Sequence, residues 1–489
     1  MIIKTTLLDI YPYTYDSSNL QGSADVVYIP ESIEDLIDAI KLGFDEKYRI
    51  YFSGAGTGIT GSRVPNGGIV ISTEKLKNII EFSNDYVIVE PGVTLSELNS
   101  FLETKGKFLP PNPTEMNASI GGNISTNASG SRTFKYGAIR NWVEEIEIIL
   151  ADGDIVRIKR SEFKATNNLL TFHTDNGLTY SFNTFDIGMP SVKNASGYFI
   201  KEDLDLIDLI IGSEGTLGAI KQIKLRVIDI PEKILGLVIF FDDSYHLRNF
   251  VEEVREHSQR NNLLDYRNIK EISARLIEYF DKSSLELLRS KYSQIPKKAV
   301  GGIWIEQEYS LSNEEQVLDS WNNIISKYTN YSENTWVALN DKEHQNLREF
   351  RHELPLQVYE NLTQNSQKKV GLDTAVPDDK FPILFDYYLN AFSKLELKNV
   401  IFGHIGNSHL HANIFCQNEV EYRRALEVYE KVIDLSLQLN GTVSAEHGIG
   451  KLKKSYLIKM YGQQNIDKFK AIKAIFDPFN LLNVGAMFD

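Results

Sequence analysis

Four of the nine histidines, His404, His409, His411 and His447, fall between residues 404 and 447, while the rest are scattered. Imidazole is the commonest metal ligand and the side chain best poised for proton transfer near neutral pH. Asn399–Phe402 reads as a strand, Gly406-Asn407-Ser408 as a turn and His409–Phe415 as the return strand. Such a hairpin sets His404 beside His411, which a straight strand would place on opposite faces. Downstream, Val443-Ser444-Ala445-Glu446-His447-Gly448-Ile449-Gly450 adds a carboxylate and another imidazole at a Gly-rich bend. His404, His411 and Glu446 then make three donors suited to a borderline divalent ion with one position open. Taken singly, each histidine reads as a hydrogen-bonded packing residue; together they read as a metal centre. In a regular return strand His409, His411 and Asn413 share a face, so His409 either competes as a ligand or touches substrate. In an extended bend Glu446 and His447 point in different directions.

A second kind of chemistry is written in glycine. Ser53-Gly54-Ala55-Gly56-Thr57-Gly58-Ile59-Thr60-Gly61 follows a strand-like run, and successive N–H groups in such turns form a concave nest for phosphate oxygens. It is not a dinucleotide fingerprint of the Rossmann type, because Val64–Gly68 turns at once and Ile69–Ser72 is another strand rather than a helix. Nor is it a Walker A loop, since no Gly-Lys-Ser/Thr follows. Two further small-residue loops accompany it: Pro110–Pro113 with Ser119–Gly130, and Gly212–Gly218 after an apolar run.

The elements that must position these groups read as α+β. Residues 25–150 alternate short β-branched runs (26–29, 49–52, 69–72, 87–89) with helices over 32–42 and 95–105, which begin at Ser32 and Thr94 with acidic first turns. Residues 155–200 are polar and irregular and read as an inserted hairpin or loop, with order resuming at 205–211. After Pro231 longer units appear: helices near 244–261, 267–280, 313–328, 342–361 and 378–394, with strands at 235–241 and 301–306. Residues 419–475 are mainly helical around one Gly-rich turn.

The three loops together with Gly403-His404…His411 and Glu446-His447-Gly448 resemble the vanillyl-alcohol-oxidase type FAD family, in its 2-hydroxy-acid dehydrogenase branch (D-lactate, glycolate and D-2-hydroxyglutarate dehydrogenases). The resemblance runs from about residue 25 to the C-terminus and is weakest across 155–200 and 255–340. It implies a two-part FAD-binding domain over 1–230, an α+β substrate cap with the metal hairpin over 231–440, and a helical segment over 441–489 completing the site. FAD would lie against Ser53, Gly54, Ala55, Gly56, Thr57, Gly58, Thr60, Gly61, Pro113, Gly121, Gly122, Asn123, Thr126, Asn127, Glu214 and Gly218. Attachment would be non-covalent, since neither of the first two loops contains a histidine.

The same resemblance makes His404, His411 and Glu446 ligands of a divalent metal, zinc first, and His447 the base. Arg351 would grip the substrate carboxylate through its guanidinium fork. Asn413 and Lys369 would face the substrate. Relatives carry Asp-Gly-Asn where this chain has Asn407, Ser408 and His409, so His409 is a surplus imidazole. Dicarboxylate-using relatives carry a lysine at the position of Gly371, with Lys369 two residues away, which favours a short substrate such as D-lactate or glycolate. The implied reaction removes the 2-hydroxyl proton to His447 and passes hydride to the flavin N5, giving a 2-oxo acid. The alternatives are a D-2-hydroxyglutarate dehydrogenase, an ether-lipid synthase of the same flavoprotein family, a non-catalytic flavin subunit, or a zinc hydrolase that binds no flavin.

Composition narrows the partners. Lys plus Arg total 52 against 66 Asp plus Glu, a formal charge of -14 that disfavours nucleic acid. The single cysteine, Cys416, allows no internal disulfide and fits a reducing, cytoplasmic compartment. Met1–Thr14 lacks the marks of a signal peptide, and no apolar run approaches the roughly 20 residues of a membrane span, which leaves peripheral membrane contact open. The electron acceptor is expected to be a quinone, an electron-transfer flavoprotein or a cytochrome, and assembly as a homodimer stays open.

Overall fold

The computed structural model describes residues 1–489. Near the N-terminus Val26–Ile29, Ile69–Ser72 and Ile50–Ser53 form a parallel ladder, extended on one edge by the antiparallel strand Ile2–Lys4. The crossover helix Ile33–Asp45 starts where expected, with the Ser32 hydroxyl accepting from Asp35 N–H. Ser53 ends its strand, so the Gly-rich loop leaves from the carboxyl end of a parallel sheet, where such sheets commonly bind ligands. The final segment closes on the same strand: Ile50 N–H donates to the Leu481 carbonyl, and Phe52 N–H to Oδ1 of Asn483.

A five-stranded antiparallel sheet follows, ordered Ile79–Phe82, Tyr86–Val89, Ala219–Arg226, Val143–Ile149 and Ile155–Lys159. Its central strand comes from far along the chain, which carries the loop Gly212–Gly218 directly to the sheet end. Thr94 and Glu97 form a reciprocal capping box on helix Leu95–Glu103. The polar stretch after 155 contains the expected hairpin, Leu169–His173 with Thr179–Asn183. One expectation needs correcting here. The second loop is in part a helix, Ile120–Ser125, capped by Ser119 accepting from Gly122 N–H; its two glycines mask the helical period in the sequence.

From Lys233 onward the chain builds a seven-stranded antiparallel sheet in the order Trp336–Ala338, Lys233–Phe241, Gly301–Tyr309, Ala274–Asp281, Asn399–Gly403, His409–Cys416 and Lys368–Ala375. The expected helix at 267–280 is instead a 3-10 turn, Tyr266–Asn268, and the strand Ala274–Asp281. Every residue of that strand is buried, so it lacks the alternation that marks a half-exposed strand, and pairing on both sides overrides the helix-forming Ala, Leu and Glu. The helices Ser244–Asn261, Glu314–Tyr328, Asp341–Gln364, Phe381–Leu395 and Glu419–Gln438 lie close to their expected ranges. Cross-strand pairing puts Lys369, Gly371 and Asp373 opposite Phe415, Asn413 and His411 on one face of the sheet. Helix Asp341–Gln364 packs Phe350 and Leu354 against Phe402 and Phe415 of that face. No helix is long and apolar enough to cross a membrane.

Candidate active site

The three small-residue loops converge on one cleft. Ser53 to Gly58 line it, joined by Gly121, Gly122, Asn123, Thr126, Glu214 and Gly218. Gly56 has φ +77°, a left-handed conformation, and a Cβ there would meet the Arg63 guanidinium, so glycine is required on both counts. At Gly121 a Cβ would stand 2.7 Å from the Pro91 ring, so only glycine lets this helix approach. Nδ2 of buried Asn123 has no partner, which is a donor held ready for a bound molecule. A cleft walled by glycine backbone, hydroxyls and an unpartnered amide donor suits the phosphates of a dinucleotide.

Four of the expected cofactor residues lie outside the cleft lining: Thr60, Gly61, Pro113 and Asn127. The Thr60 carbonyl instead accepts from Lys451 and Leu452 N–H, and its hydroxyl donates to the His447 carbonyl at 3.3 Å. Asn127 Oδ1 accepts from Arg140 N–H. Glu214 borders the cleft, but its carboxylate accepts from Ser62 and from the Ile449 and Gly450 N–H groups at 2.7–2.9 Å. Arg63, unnoticed in the sequence, lines the cleft and donates to Ser53 Oγ at 2.8 Å.

The histidine cluster sits directly against these loops. The hairpin forms as read, Asn399–Gly403 pairing with His409–Cys416 through a 3-10 turn at Ile405–Asn407. Ring centroids of His404 and His411 are 5.3 Å apart, and those of His409 and His411 4.6 Å. Donor atoms of His404, His409, His411 and Glu446 all lie within 4.8 Å of one another. Glu446 Oε1 lies 2.9 Å from His411 Nε2 and 3.3 Å from His404 Nε2. Its other oxygen, Oε2, accepts from Lys193 Nζ at 2.5 Å and from Ser129 Oγ at 3.2 Å. Lys193 comes from the irregular stretch after 155 and carries no signal in the sequence.

Electrostatics suit cation binding. Burial opposes the charge on Glu446, yet Lys193 and His404 outweigh it and hold the carboxylate well below its usual range. Burial pushes His411 down to about 4 and His409 well below the ordinary imidazole value, so both rings are neutral and offer lone pairs. On His404 burial is outweighed by Glu278, whose Oε1 lies 2.5 Å from Nδ1. A carboxylate behind a ligating histidine fixes its tautomer and aims its other nitrogen. The neutral rings of His411 and His409, His404 once an ion displaces its proton, and one ionised carboxylate make a donor set that fits a divalent transition ion.

His447 departs from the expected geometry. Rather than diverging from Glu446, its ring stacks on His411 at 5.1 Å between centroids, with Nε2 3.8 Å from Glu446 Oε1. The bend is not extended: Gly448 has φ +77°, and His447 N–H donates to Asp373 Oδ2 at 3.1 Å, drawing the residue toward the sheet. Nδ1 of His447 lies 3.1 Å from the same Asp373 oxygen. Asp373 also accepts from His409 Nε2, Ser444 Oγ and Lys453 Nζ at 2.8–2.9 Å. Burial opposes its charge, but His447 and Lys453 hold it well below the carboxylate range. The His447 side chain keeps 25% of its surface exposed while Asp373 keeps 1%, so the imidazole is the open end of this pair.

Arg351 is buried on helix Asp341–Gln364, with Nε donating to Glu278 Oε2 at 3.0 Å and Nη1 left without a partner. Asn413 is buried on the His411 face, and Lys369 on the neighbouring strand is exposed.

Comparison with known proteins agrees with this architecture. Residues 24–159 match the family model "FAD binding domain" and residues 230–487 match "FAD linked oxidases, C-terminal domain". The chain belongs to the FAD-linked oxidase family. It is 26% identical to the glycolate oxidase subunit GlcD of Bacillus subtilis, covering 97% of this chain and 92% of that one. It is also 26% identical to a D-lactate dehydrogenase of Anaerostipes hadrus, covering 97% and 92%, and 25% identical to a D-2-hydroxyglutarate dehydrogenase of Stutzerimonas stutzeri, covering 94% and 90%. The fold is shared with a solved alkyldihydroxyacetonephosphate synthase, at TM-score 0.66 and 15% identity over 98% of this chain and 81% of that one.

Proposed function

We propose that this chain is a dehydrogenase of a small 2-hydroxy acid, with D-lactate or glycolate favoured, using non-covalent FAD and a divalent metal held by His404, His411 and Glu446. The observation that carries this reading is the direct stitching of the flavin loops to the histidine bend. Ser129 of the second loop donates to Glu446, Thr60 of the first donates to the His447 carbonyl, and Glu214 of the third accepts from Ile449 and Gly450. These contacts support the reading because they set the His447 imidazole and the His/Glu cluster against the cleft.

When bound, FAD would supply the hydride acceptor for the substrate Cα, and the ion held by His404, His411 and Glu446 a Lewis acid for the 2-hydroxyl. His447 takes the hydroxyl proton at Nε2, with Asp373 fixing its ring through Nδ1 and stabilising the imidazolium. Arg351 offers its free Nη1 to the substrate carboxylate while Glu278 holds its Nε. Asn413 lines the same face, and Lys369 stands at its exposed margin. The chain's domains divide near residues 230 and 440, with 441–489 returning the base to the flavin loops. Zinc is our first choice of metal, and a quinone, an electron-transfer flavoprotein or a cytochrome reoxidises the flavin in the cytoplasm.

The test is direct. The purified protein is expected to be yellow, and its oxidised-flavin band to bleach anaerobically with D-lactate or glycolate. A colourless protein, or a flavin that no 2-hydroxy acid reduces, overturns the reading.

A further inference from the structure

The surplus imidazole has a place in this cluster. His409 is fully buried, and its Nε2 donates to Asp373 Oδ1 at 2.9 Å. Its other nitrogen, Nδ1, is buried with no partner in the protein. A neutral imidazole that donates from one nitrogen carries a lone pair on the other, and a buried lone pair without a donor is the kind of orphan that needs an explanation. The ring stands 4.6 Å from His411 and 5.2 Å from His404, centroid to centroid, and contributes a donor atom to the 4.8 Å cluster with Glu446.

We infer that His409 is a fourth protein ligand of the metal, binding through Nδ1. The inference rests on the metal centre proposed above and adds to it a specific donor. Asp373 then does for His409 what Glu278 does for His404: each carboxylate takes the N–H of one ring and leaves the opposite nitrogen for the ion. Asp373 is shared, since the same carboxylate orients His447, so one buried acid aligns a ligand and the base. Glu446 binds through one oxygen, because Lys193 and Ser129 occupy the other. The protein itself thus supplies four donors, three nitrogens and one oxygen. A substrate hydroxyl would then come as a fifth donor, a coordination number that catalytic zinc sites can reach.

Counting nitrogens tests this without turnover. FAD-loaded protein stripped of metal is given one equivalent of Cu(II), and electron paramagnetic resonance hyperfine spectra report the number of coordinated imidazoles. Three are expected in the parent, two in His409→Asn and three in His447→Asn, each with its flavin band intact as evidence of folding. Affinity for Zn(II), measured by chelator competition, is expected to fall more than about 100-fold in His409→Asn, beyond the roughly 10–100-fold that loss of an outer-shell partner costs. Two imidazoles in the parent, or an unchanged count in His409→Asn, overturns the inference while leaving the three-ligand centre standing. A parent that takes up no ion rejects the metal centre itself.

Discussion

Asp373 Oδ2 lies 3.1 Å from Nδ1 of His447, and the same oxygen accepts from the His447 backbone N–H. One carboxylate therefore fixes both where the residue stands and how its ring is turned. The arrangement leaves Nε2, 3.8 Å from Glu446 Oε1, as the nitrogen available for the proposed role as base.

Replacing this carboxylate is expected to cost stability and rate together. Asp373→Asn leaves buried Lys453 without its anion, and breaking a buried pair from one side typically destabilises by about 3–5 kcal/mol. Urea unfolding should show a loss of that order, and flavin reduction should slow because the ring of His447 is no longer held. A variant as stable as the parent, reducing its flavin as fast, would show that Asp373 plays neither part.

Glu278 supports His404 from behind, and its removal should be felt at the metal. Glu278→Gln is expected to weaken divalent ion binding roughly 10–100-fold, measured by chelator competition. The metal-free protein offers a second check through pH. Burial opposes the Glu278 charge, but His404 and Arg351 outweigh it and draw the carboxyl from 4.5 to about 2. A depressed folded-state value contributes stability that is fully present above the unfolded value and lost as pH falls through the folded one. The stability gap between parent and Glu278→Gln should therefore narrow as pH rises through the folded value of His404, which Glu278 raises, and close as pH falls from about 4.5 toward 2. A gap that does not narrow over that window contradicts the assignment.

Substrate length should be set at Gly371. An added Cβ there would stand 3.3 Å from Asn413 Oδ1, so the position opens directly on the face that carries His411. With no side chain at 371 and Lys369 exposed at the margin, nothing at this position is fixed to hold a second carboxylate. We expect anaerobic bleaching by D-lactate or glycolate and none by D-2-hydroxyglutarate. The opposite pattern would mean that another cation, such as Lys369, binds the second carboxylate.

Much of this site was legible because its chemistry is concentrated in short motifs. Glycine loops and clustered histidines announce themselves, and the turn at Gly406–Ser408 predicted the hairpin that joins His404 to His411. The supporting charges were not legible. Asp373, Lys453, Lys193 and Glu278 are single common residues on separate segments, and only sheet pairing and long-range packing bring them together. Glu278 was further hidden because a strand buried on both faces reads like a helix. The bend at Glu446 and His447 was misjudged for a related reason. Its course depends on Gly448 and on Asp373, a residue far away in the sequence.

Chelation should separate the two cofactors. The proposed ligands lie on the hairpin and the C-terminal bend, whereas the cleft is lined chiefly by the N-terminal loops. Protein dialysed against a chelator is expected to stay yellow and lose reduction by substrate, with recovery on adding back a divalent ion. Full activity in protein shown metal-free by elemental analysis would exclude the ion from the reaction.

The most direct test of the account follows flavin bleaching by rapid mixing in the parent and in His447→Asn. This half-reaction is independent of the electron acceptor. Asparagine is close to histidine in size and keeps hydrogen-bonding capacity, so the variant should retain FAD and metal. Loss of a general base typically slows chemistry about 10²–10⁴-fold, and a decrease in that range at unchanged FAD and metal content is the result predicted. Reduction within a few-fold of the parent rate would contradict the assignment of His447 as the base, and loss of the metal would make it a ligand instead.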